Sequence, residues 1–561
     1  MPSRWMVVRA LALRTVWFRA WKGAFGQSNG GGEGRRRLRP GGGRLLLTLL
    51  LSFAISLGAG SSAHAQGATQ AQQLDADALG LARSGHFAQA ESELRQANVL
   101  APDNPRFLAD LGVTLAMDGK LRDAAPYLDK ALKLDPHNLA LRCDLAAAEL
   151  NLGEERQAER NLQYVLKARP SDREATLLLG MAAANLKQYR QALALFESVL
   201  GLATQQPQAV AALARCYYHT GQIAKARQLL LGLLKRREPP QAIFLGAQMA
   251  EEARDGPTAE RLFESILSAY PDVPRVEYHL AYAKYECGQY AESESLLEQL
   301  VRRGHGTSET FNLLGRCYAK QGQMAHARKA LETAINLVPS EEANYSDLAT
   351  ILLLNHELSA ALVAAKWWAS TFPASCRAHS MKADIEMKLH YYEQAATSYG
   401  QVLKHCPSSE PATLGLAKAE ASAGLEAQAE ATFQAGIRQF PKAEPLYRAY
   451  GESLLQMSAE GALDKKRRAL VMLETAVRMD TSDWEARYFL GNLWLSESKA
   501  RPALPELLTA ARLSPKDSKI RFALWRAYSE LGMTAQAHQQ LEMFRHLRQA
   551  TPGDKASTDA R

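Results

Sequence analysis

Residues 308–341 read SETFNLLGRCYAKQGQMAHARKALETAINLVPSE, and this stretch decides the fold of the chain. In its first half, small and apolar residues recur with helical spacing at Phe311, Leu314, Gly315 and Tyr318. After Gly322, a second stripe with helical spacing is formed by Ala327, Leu331, Ala334 and Ile335. The stretch therefore predicts two amphipathic helices joined by a tight turn. The second helix is expected to end before Pro339, which lacks an amide donor.

The same pattern recurs about every 34 residues. Fourteen copies begin at residues 71, 105, 139, 173, 207, 240, 274, 308, 342, 376, 410, 444, 484 and 518. The eighth position is Ala or Gly in every copy except the last, which has Trp525. The twentieth position is Ser293 in the seventh copy and Ala in the others, at residues 90, 124, 158, 192, 226, 259, 327, 361, 395, 429, 469, 503 and 537. Small residues at both positions predict closely packed helix pairs.

This pattern resembles the tetratricopeptide repeat, whose copies carry small residues at positions 8, 20 and 27 and Pro near position 32. The segments Leu314–Pro339 and Leu111–Pro136 match it closely. The resemblance covers residues 71–551 and implies an all-α, right-handed α-α superhelical solenoid of about fourteen helix-turn-helix repeats. It also implies that the first helix of each copy lines the concave face through positions 2, 5, 9, 12 and 13.

The formal net charge of +8 is concentrated at the N-terminus. Residues 1–65 hold ten Lys or Arg and one Glu, which leaves 57 basic and 58 acidic residues for the rest of the chain. A nearly neutral array has no general attraction to phosphate backbones. We therefore expect no nucleic-acid partner.

Residues 1–65 are predicted to be a leader rich in Gly and Arg. An apolar run at 45–59 precedes Ala63-His64-Ala65, the pattern of an export signal cleaved after Ala65. Fifteen residues span about 22 Å as a helix, less than the roughly 30 Å of a bilayer core, which favours cleavage. Export to the periplasm or secretion is then expected. A single-pass membrane anchor, or a true start downstream of Met1, is the alternative.

Two further segments flank the array. Residues 66–70 are predicted to be a short polar lead-in, and residues 552–561 a disordered tail of Pro, Gly, Ser and charged residues. Neither segment is large enough for a catalytic domain. His356-Glu357 begins a zinc-protease pattern, but Ala360 stands where the second His is required. We therefore expect neither an enzyme nor a cofactor.

The tenth copy contains four possible metal ligands. Cys376 and His379 open this copy, and His405 and Cys406 close it, so an antiparallel helix pair brings all four to one end. Unlinked packing residues are the favoured interpretation. A Cys376–Cys406 disulfide and a zinc site are the alternatives, the latter weakened by the absence of a C-x-x-C spacing.

The candidate partner-binding residues come from the concave positions that the resemblance implies. They are Arg215, Tyr218, His219, Arg275, Tyr278, Tyr282, Tyr285, Asn312, Arg316 and Lys320. Tyr offers large contact area with little rotamer entropy, Asn can pair with a peptide backbone, and Arg can bind a carboxylate. The alternative is that Tyr278 and Tyr285 only pack between copies. The corresponding positions of the second and third copies, among them Ala109 and Ala147, are interpreted as structural.

The sequence thus predicts a protein-interaction scaffold that binds an extended or helical segment of a partner outside the cytoplasm. Two neighbouring functions remain open. One is an accessory or adaptor of an envelope assembly or an exopolysaccharide secretion system. The other is an array associated with a glycosyl transferase or another enzyme, against which the missing catalytic region counts.

Overall fold

The computed structural model describes residues 60–456 and 462–550. All regular secondary structure in these two ranges is helical, and the described chain forms two compact units divided between His305 and Gly306. The predicted apolar run at 45–59 and the predicted tail lie outside the described residues. In the part described, no helix is both long and apolar enough to span a membrane.

Unit 1 consists of seven antiparallel helix pairs. Pairs 1 to 4 are Gly60–Arg83 with Phe87–Leu100, Pro105–Met117 with Leu121–Leu134, Leu139–Leu152 with Glu155–Ala168, and Arg173–Asn185 with Tyr189–Ser198. A short helix, Leu200–Ala203, follows pair 4. Pairs 5 to 7 are Pro207–His219 with Ile223–Lys235, Pro240–Glu252 with Gly256–Ala269, and Pro274–Glu286 with Tyr290–Arg302.

Unit 2 contains the other seven pairs. Pairs 8 to 11 are Ser308–Lys320 with Met324–Leu337, Glu342–Leu354 with Leu358–Thr371, Cys376–Lys388 with Tyr392–His405, and Glu410–Ser422 with Glu426–Gln439. Pairs 12 to 14 are Glu444–Gln456 with Ala462–Met479, Trp484–Ser496 with Ala500–Leu513, and Ser518–Glu530 with Thr534–Ala550. Within each unit the helices of a pair contact each other and the neighbouring pairs, which confirms the all-α solenoid.

The repeat period locates the helices well. From pair 2 to pair 14, every first helix begins at the residue where the sequence places the start of a copy. Pair 1 differs, because its first helix begins at Gly60 instead of Ala71. Residues 66–70, predicted to be a polar lead-in, are therefore part of this helix.

The close approach of the two helices in a pair depends on the small residues. In pair 8, a Cβ added to Gly315 would lie 2.7 Å from the Leu331 Cγ and 3.1 Å from the Ala327 carbonyl oxygen. Ala327 and Leu331 are fully buried in this contact. Gly322 makes the turn between the helices with φ of 75°, in the left-handed region that favours glycine. These residues are the ones whose spacing predicts the hairpin.

A recurring hydrogen bond joins one pair to the next. The fourth residue of a first helix donates through its side chain to the backbone carbonyl six residues earlier, and this carbonyl belongs to position 32 of the preceding copy. Six such bonds occur among the described residues, from Arg142 to Pro136, Tyr345 to Pro339, His379 to Pro373, Tyr447 to Pro441, Arg487 to Thr481 and Arg521 to Pro515. At Thr481 the bond forms although Pro is missing, so the inter-pair turn does not require Pro at that position.

Candidate functional site

A groove crosses the first helices of pairs 3 to 6 in unit 1. Its volume is about 260 Å³. The groove is lined by Ala147, Leu150, Asn151, Leu178, Met181, Asn185, Gln208, Ala211, Ala212, Arg215, Leu245 and Met249. Most of these side chains occupy positions 2, 5, 9, 12 or 13 of their copies, the positions that the resemblance assigns to the concave face.

The depth of the groove comes from small side chains. Ala147, Ala211 and Ala212 stand where longer residues would fill the space between neighbouring first helices. Ala147 belongs to the stretch interpreted from the sequence as structural, yet it remains partly exposed in the groove wall. A single sequence points to large and polar side chains as binding residues. It therefore misses a groove that forms where the side chains are small.

The groove combines an apolar floor with polar groups at its margin. Leu178 and Met249 are buried in the floor, whereas Asn151 and Asn185 are exposed at position 13 of successive pairs. The Asn151 amide donates to the Ala147 carbonyl over 2.8 Å. The Asn185 amide has no hydrogen-bond partner within the described part of the chain. This arrangement offers apolar contacts together with an available amide donor and acceptor.

Arg215 is the predicted binding residue that lies in the groove. Its Nη2 atom is 3.3 Å from the Met249 sulfur and 3.4 Å from a carboxylate oxygen of Glu252. The Glu252 side chain is 58% exposed, so this ion pair is largely screened by solvent. Arg215 can therefore exchange its present contact for a group on a bound segment at little cost.

The other two candidates in pair 5 have partners within unit 1. Tyr218 donates from its hydroxyl to Asp255 over 2.9 Å, and His219 stacks on the Tyr189 ring with a centroid distance of 4.0 Å. Burial, with the hydrogen bond to Asp255, raises the pKa of Tyr218, so its hydroxyl stays protonated. Tyr218 contributes to packing between pairs 5 and 6 and not to a free binding surface.

Asp255 is the centre of this inter-pair contact. It accepts two hydrogen bonds from Arg227, over 2.8 and 2.9 Å, and one from Thr258 over 2.9 Å. Burial acts to raise the pKa of Asp255, but the hydrogen bonds from Arg227, Tyr218 and Thr258 outweigh it and hold the pKa below its usual value. The buried charge is thus fully compensated and is structural.

The four candidates in pair 7 lie on an aromatic part of the same unit. Arg275 is exposed and stands over the Phe244 ring at 5.2 Å. Tyr278 packs edge-on against His279 at 5.6 Å, Tyr285 lies 5.3 Å from the Tyr290 ring, and Tyr282 is half-buried. The Arg275 contact joins pair 7 to pair 6, whereas the two tyrosine contacts lie within pair 7. The partial exposure of all three tyrosines leaves surface for a partner.

The remaining three candidates belong to unit 2. Asn312 donates to the side-chain oxygens of Asn344 over 3.0 Å and Asp347 over 2.9 Å, which links the first helices of pairs 8 and 9. Arg316 is half-buried, and Lys320 is exposed at the end of its helix. The ten candidates are therefore divided between the two units, with seven in unit 1 and three in unit 2.

The cysteine and histidine set in pair 10 differs from its favoured interpretation. Cys376 and Cys406 form a disulfide with a Cα–Cα distance of 6.4 Å, so the prediction of unlinked cysteines is wrong in this structure. The antiparallel helices bring positions 1 and 31 of the copy within disulfide range. His379 donates to the Pro373 carbonyl over 3.0 Å, and His405 is exposed. Across the described residues, no group of three or more His, Cys, Asp or Glu side chains is arranged to hold a metal ion.

Three solved structures are similar to this chain. The structure of Naa15/Naa10 bound to HypK-THB is 16% identical, with 88% of this chain and 91% of that chain covered and a TM-score of 0.35. Yeast Tom70 is 14% identical, with 86% of this chain and 97% of that chain covered and a TM-score of 0.33. A third, the C-terminal part of a repeat-containing protein from Cytophaga hutchinsonii, is 15% identical, with 44% and 99% covered and a TM-score of 0.39. No curated protein matches the sequence.

Family profiles described as tetratricopeptide repeat match most of the array. They cover residues 76–138, 115–182, 182–243, 250–317, 308–340 and 380–444. The match at 308–340 falls on the stretch whose two helical stripes define the repeat. The regular helix pairs, their small buried contact residues and these matches agree, and the chain belongs to the tetratricopeptide repeat family.

Proposed function

We propose that the groove of unit 1 binds an extended segment of a partner protein. Tetratricopeptide repeat solenoids generally serve as protein-interaction scaffolds. The observation that carries the proposal is the groove across four successive first helices, with its apolar floor and its polar margin.

The shape and chemistry of the groove favour an extended occupant. The groove runs across the first helices of four neighbouring pairs. Asn151 and Asn185 repeat at one position of successive pairs, where side-chain amides can pair with the backbone of a bound segment. Leu178, Met181 and Leu245 provide apolar contacts for side chains that point into the floor. The occupant is thus an extended segment with apolar side chains and with backbone groups available to the margin.

We place this activity outside the cytoplasm. The leader at 1–65 has the features of an export signal, and the Cys376–Cys406 disulfide suits an oxidising compartment. Of the four cysteines outside the disulfide, Cys143, Cys216 and Cys317 are buried. Capture of an envelope or secretion component would favour the accessory function over a general scaffold.

A charge placed in the groove should block partner binding. We expect Ala147→Glu to weaken the affinity for a captured partner by about tenfold or more, because a carboxylate must be buried against the apolar floor. The measurement is the dissociation constant for the partner captured from fractionated cells. Tyr282→Ala, tested in parallel, tells whether the aromatic surface of pair 7 extends the site.

Ala194→Glu is the matched control. Ala194 is exposed on the second helix of pair 4, away from the lining residues of the groove. This variant should bind within about twofold of the natural protein. Equal losses in the two Glu variants, with helicity preserved in both, would reject the groove as the binding site.

Export with cleavage after Ala65 would give the mature protein a specific N-terminus. We expect mass spectrometry of the native protein to find a chain that starts at Gln66 and fractionates with the envelope or the medium. An intact leader in the membrane fraction would mean that residues 45–59 are an anchor. An intact leader in the cytosol would contradict export.

A further inference from the structure

Three carboxyl groups and one guanidinium meet where pair 12 joins pair 13. Glu444 is the first residue of pair 12, Asp483 is the N-cap of pair 13, and Glu485 follows in the first turn. Arg448 ion-pairs with Asp483 over 2.8 Å and donates from Nη1 to Glu485. Its separation from Glu444 is 3.8 Å, too long for a hydrogen bond. A single positive charge therefore faces three acids.

Glu444 is the acid that lacks compensation. Its side chain is only 15% exposed, and its Oε1 atom is buried with no hydrogen-bond partner. Asp483, 10% exposed, lies within hydrogen-bond reach of Glu444, and Asp480 adds a further negative charge nearby. Burial and the neighbouring Asp483 raise the pKa of Glu444 to about 8. Two ionised carboxylates within hydrogen-bond reach repel each other, whereas two carboxyl groups that share one proton form a hydrogen bond.

We propose that Glu444 and Asp483 share one proton, and that loss of this proton on the alkaline side loosens the contact between pairs 12 and 13. The unfolded chain releases the Glu444 proton near its ordinary value of 4.5, whereas the folded chain keeps it until about pH 8. Folding therefore takes up a proton in this window. The stability of the contact falls as the pH rises through it and reaches its minimum above about pH 8.

The equivalent contact between pairs 9 and 10 has a hydroxyl donor in place of the second acid. Glu342 occupies the position of Glu444, and Ser375 occupies the N-cap position of Asp483. Glu342 accepts hydrogen bonds from the Ser375 hydroxyl and from the Trp368 indole, the latter over 2.9 Å. The hydroxyl there donates the hydrogen bond that the glutamate accepts. The Glu444–Asp483 pair replaces this donor by a second acid, and the proton must supply the missing hydrogen bond.

Amide hydrogen exchange of the full chain tests the proposal. Protection of peptides from residues 484–513, corrected for the intrinsic exchange rate, should fall by up to about tenfold per pH unit between about pH 6 and about pH 8. Peptides from residues 376–405 should keep constant protection, because the contact between pairs 9 and 10 has no shared proton.

Two variants make the outcome specific. Asp483→Ser reproduces the Ser375 arrangement and retains a capping side chain, and Glu444→Gln imitates the protonated acid with an amide donor. Both should show protection of residues 484–513 that changes less than about twofold over the same pH window. A parallel fall in the natural protein and in both variants, or no fall in the natural protein, would overturn the proposal.

Discussion

Replacing Ala327 by Leu should lower the free energy of unfolding of unit 2 by about 3 kcal/mol or more. Ala327 is fully buried at position 20 of its copy, directly against the first helix of pair 8. The facing Gly315 has no room for even one added methyl group, because a Cβ there would lie 3.1 Å from the Ala327 carbonyl oxygen. Three additional carbons must separate the helices or distort both. Chemical denaturation followed by circular dichroism measures the loss.

Ala325→Leu is the control for this prediction. Ala325 belongs to the same helix, Met324–Leu337, but its side chain is exposed. Leu is nearly as good a helix former as Ala, so this variant should change the unfolding free energy by less than about 0.5 kcal/mol. Similar stability in the two variants would show that position 20 is not the contact that holds the helix pair together.

Reduction of the Cys376–Cys406 disulfide should produce the second large effect. The bond joins residues separated by 30 positions, namely the first residue of pair 10 and the residue that follows its second helix. Opening it restores chain entropy to the unfolded state, and the loop-closure relation gives a loss of about 3 to 4 kcal/mol. Urea unfolding of unit 2 with and without reductant measures this difference.

The double variant C376S/C406S separates the disulfide from other effects of the reductant. It should unfold at the lower urea concentration in both conditions and show no further response to reduction. A chain isolated from its native compartment with two free thiols at these positions would contradict both the bond and the argument for export.

The C376S/C406S variant should keep the pH dependence of the contact between pairs 12 and 13, because Cys376 and Cys406 lie in another part of unit 2.

The sequence predicts much of the architecture because one geometric rule is repeated. Packing of two helices at close range admits only small residues, and Ala or Ser at position 20 therefore marks each hairpin independently of the rest of the copy. The predicted start of pair 13 at Trp484 is correct although six extra residues precede it. Pair 1 is the exception, since the period contains no information about residues before its first position.

Contacts between pairs were harder to foresee. Six copies carry Arg, Tyr or His at position 4, and only the structure reveals that side chains as different as Arg142, Tyr345 and His379 donate to the equivalent backbone carbonyl of the preceding turn. Tyr218 and Asn312 have the residue types expected of binding sites, yet their polar groups are engaged with neighbouring pairs. Residue type states what a side chain can bind, and its neighbours decide whether it is available.

The groove and the disulfide could not be predicted from the sequence for the same reason, because both depend on how helices are placed relative to one another. Ala147 and Ala212 line the groove only because the adjacent first helices leave the space above them open. Cys376 and Cys406 are correctly assigned to one end of a hairpin from the sequence, but the distance between them depends on how the helices of pair 10 are rotated. The period predicts where each residue lies along the array. Distances and contacts between residues on different helices are known only from the structure.

Photo-crosslinking from the groove tests the central claim most directly. A photoreactive side chain replaces Met181 in the groove or, as control, exposed Ala194 on the second helix of the same pair. Irradiation of cells that produce each variant should join one partner protein, through one peptide, to the Met181 position only. Equal crosslinking from Ala194, or none from Met181 while the partner still copurifies, would show that the partner binds elsewhere on the array.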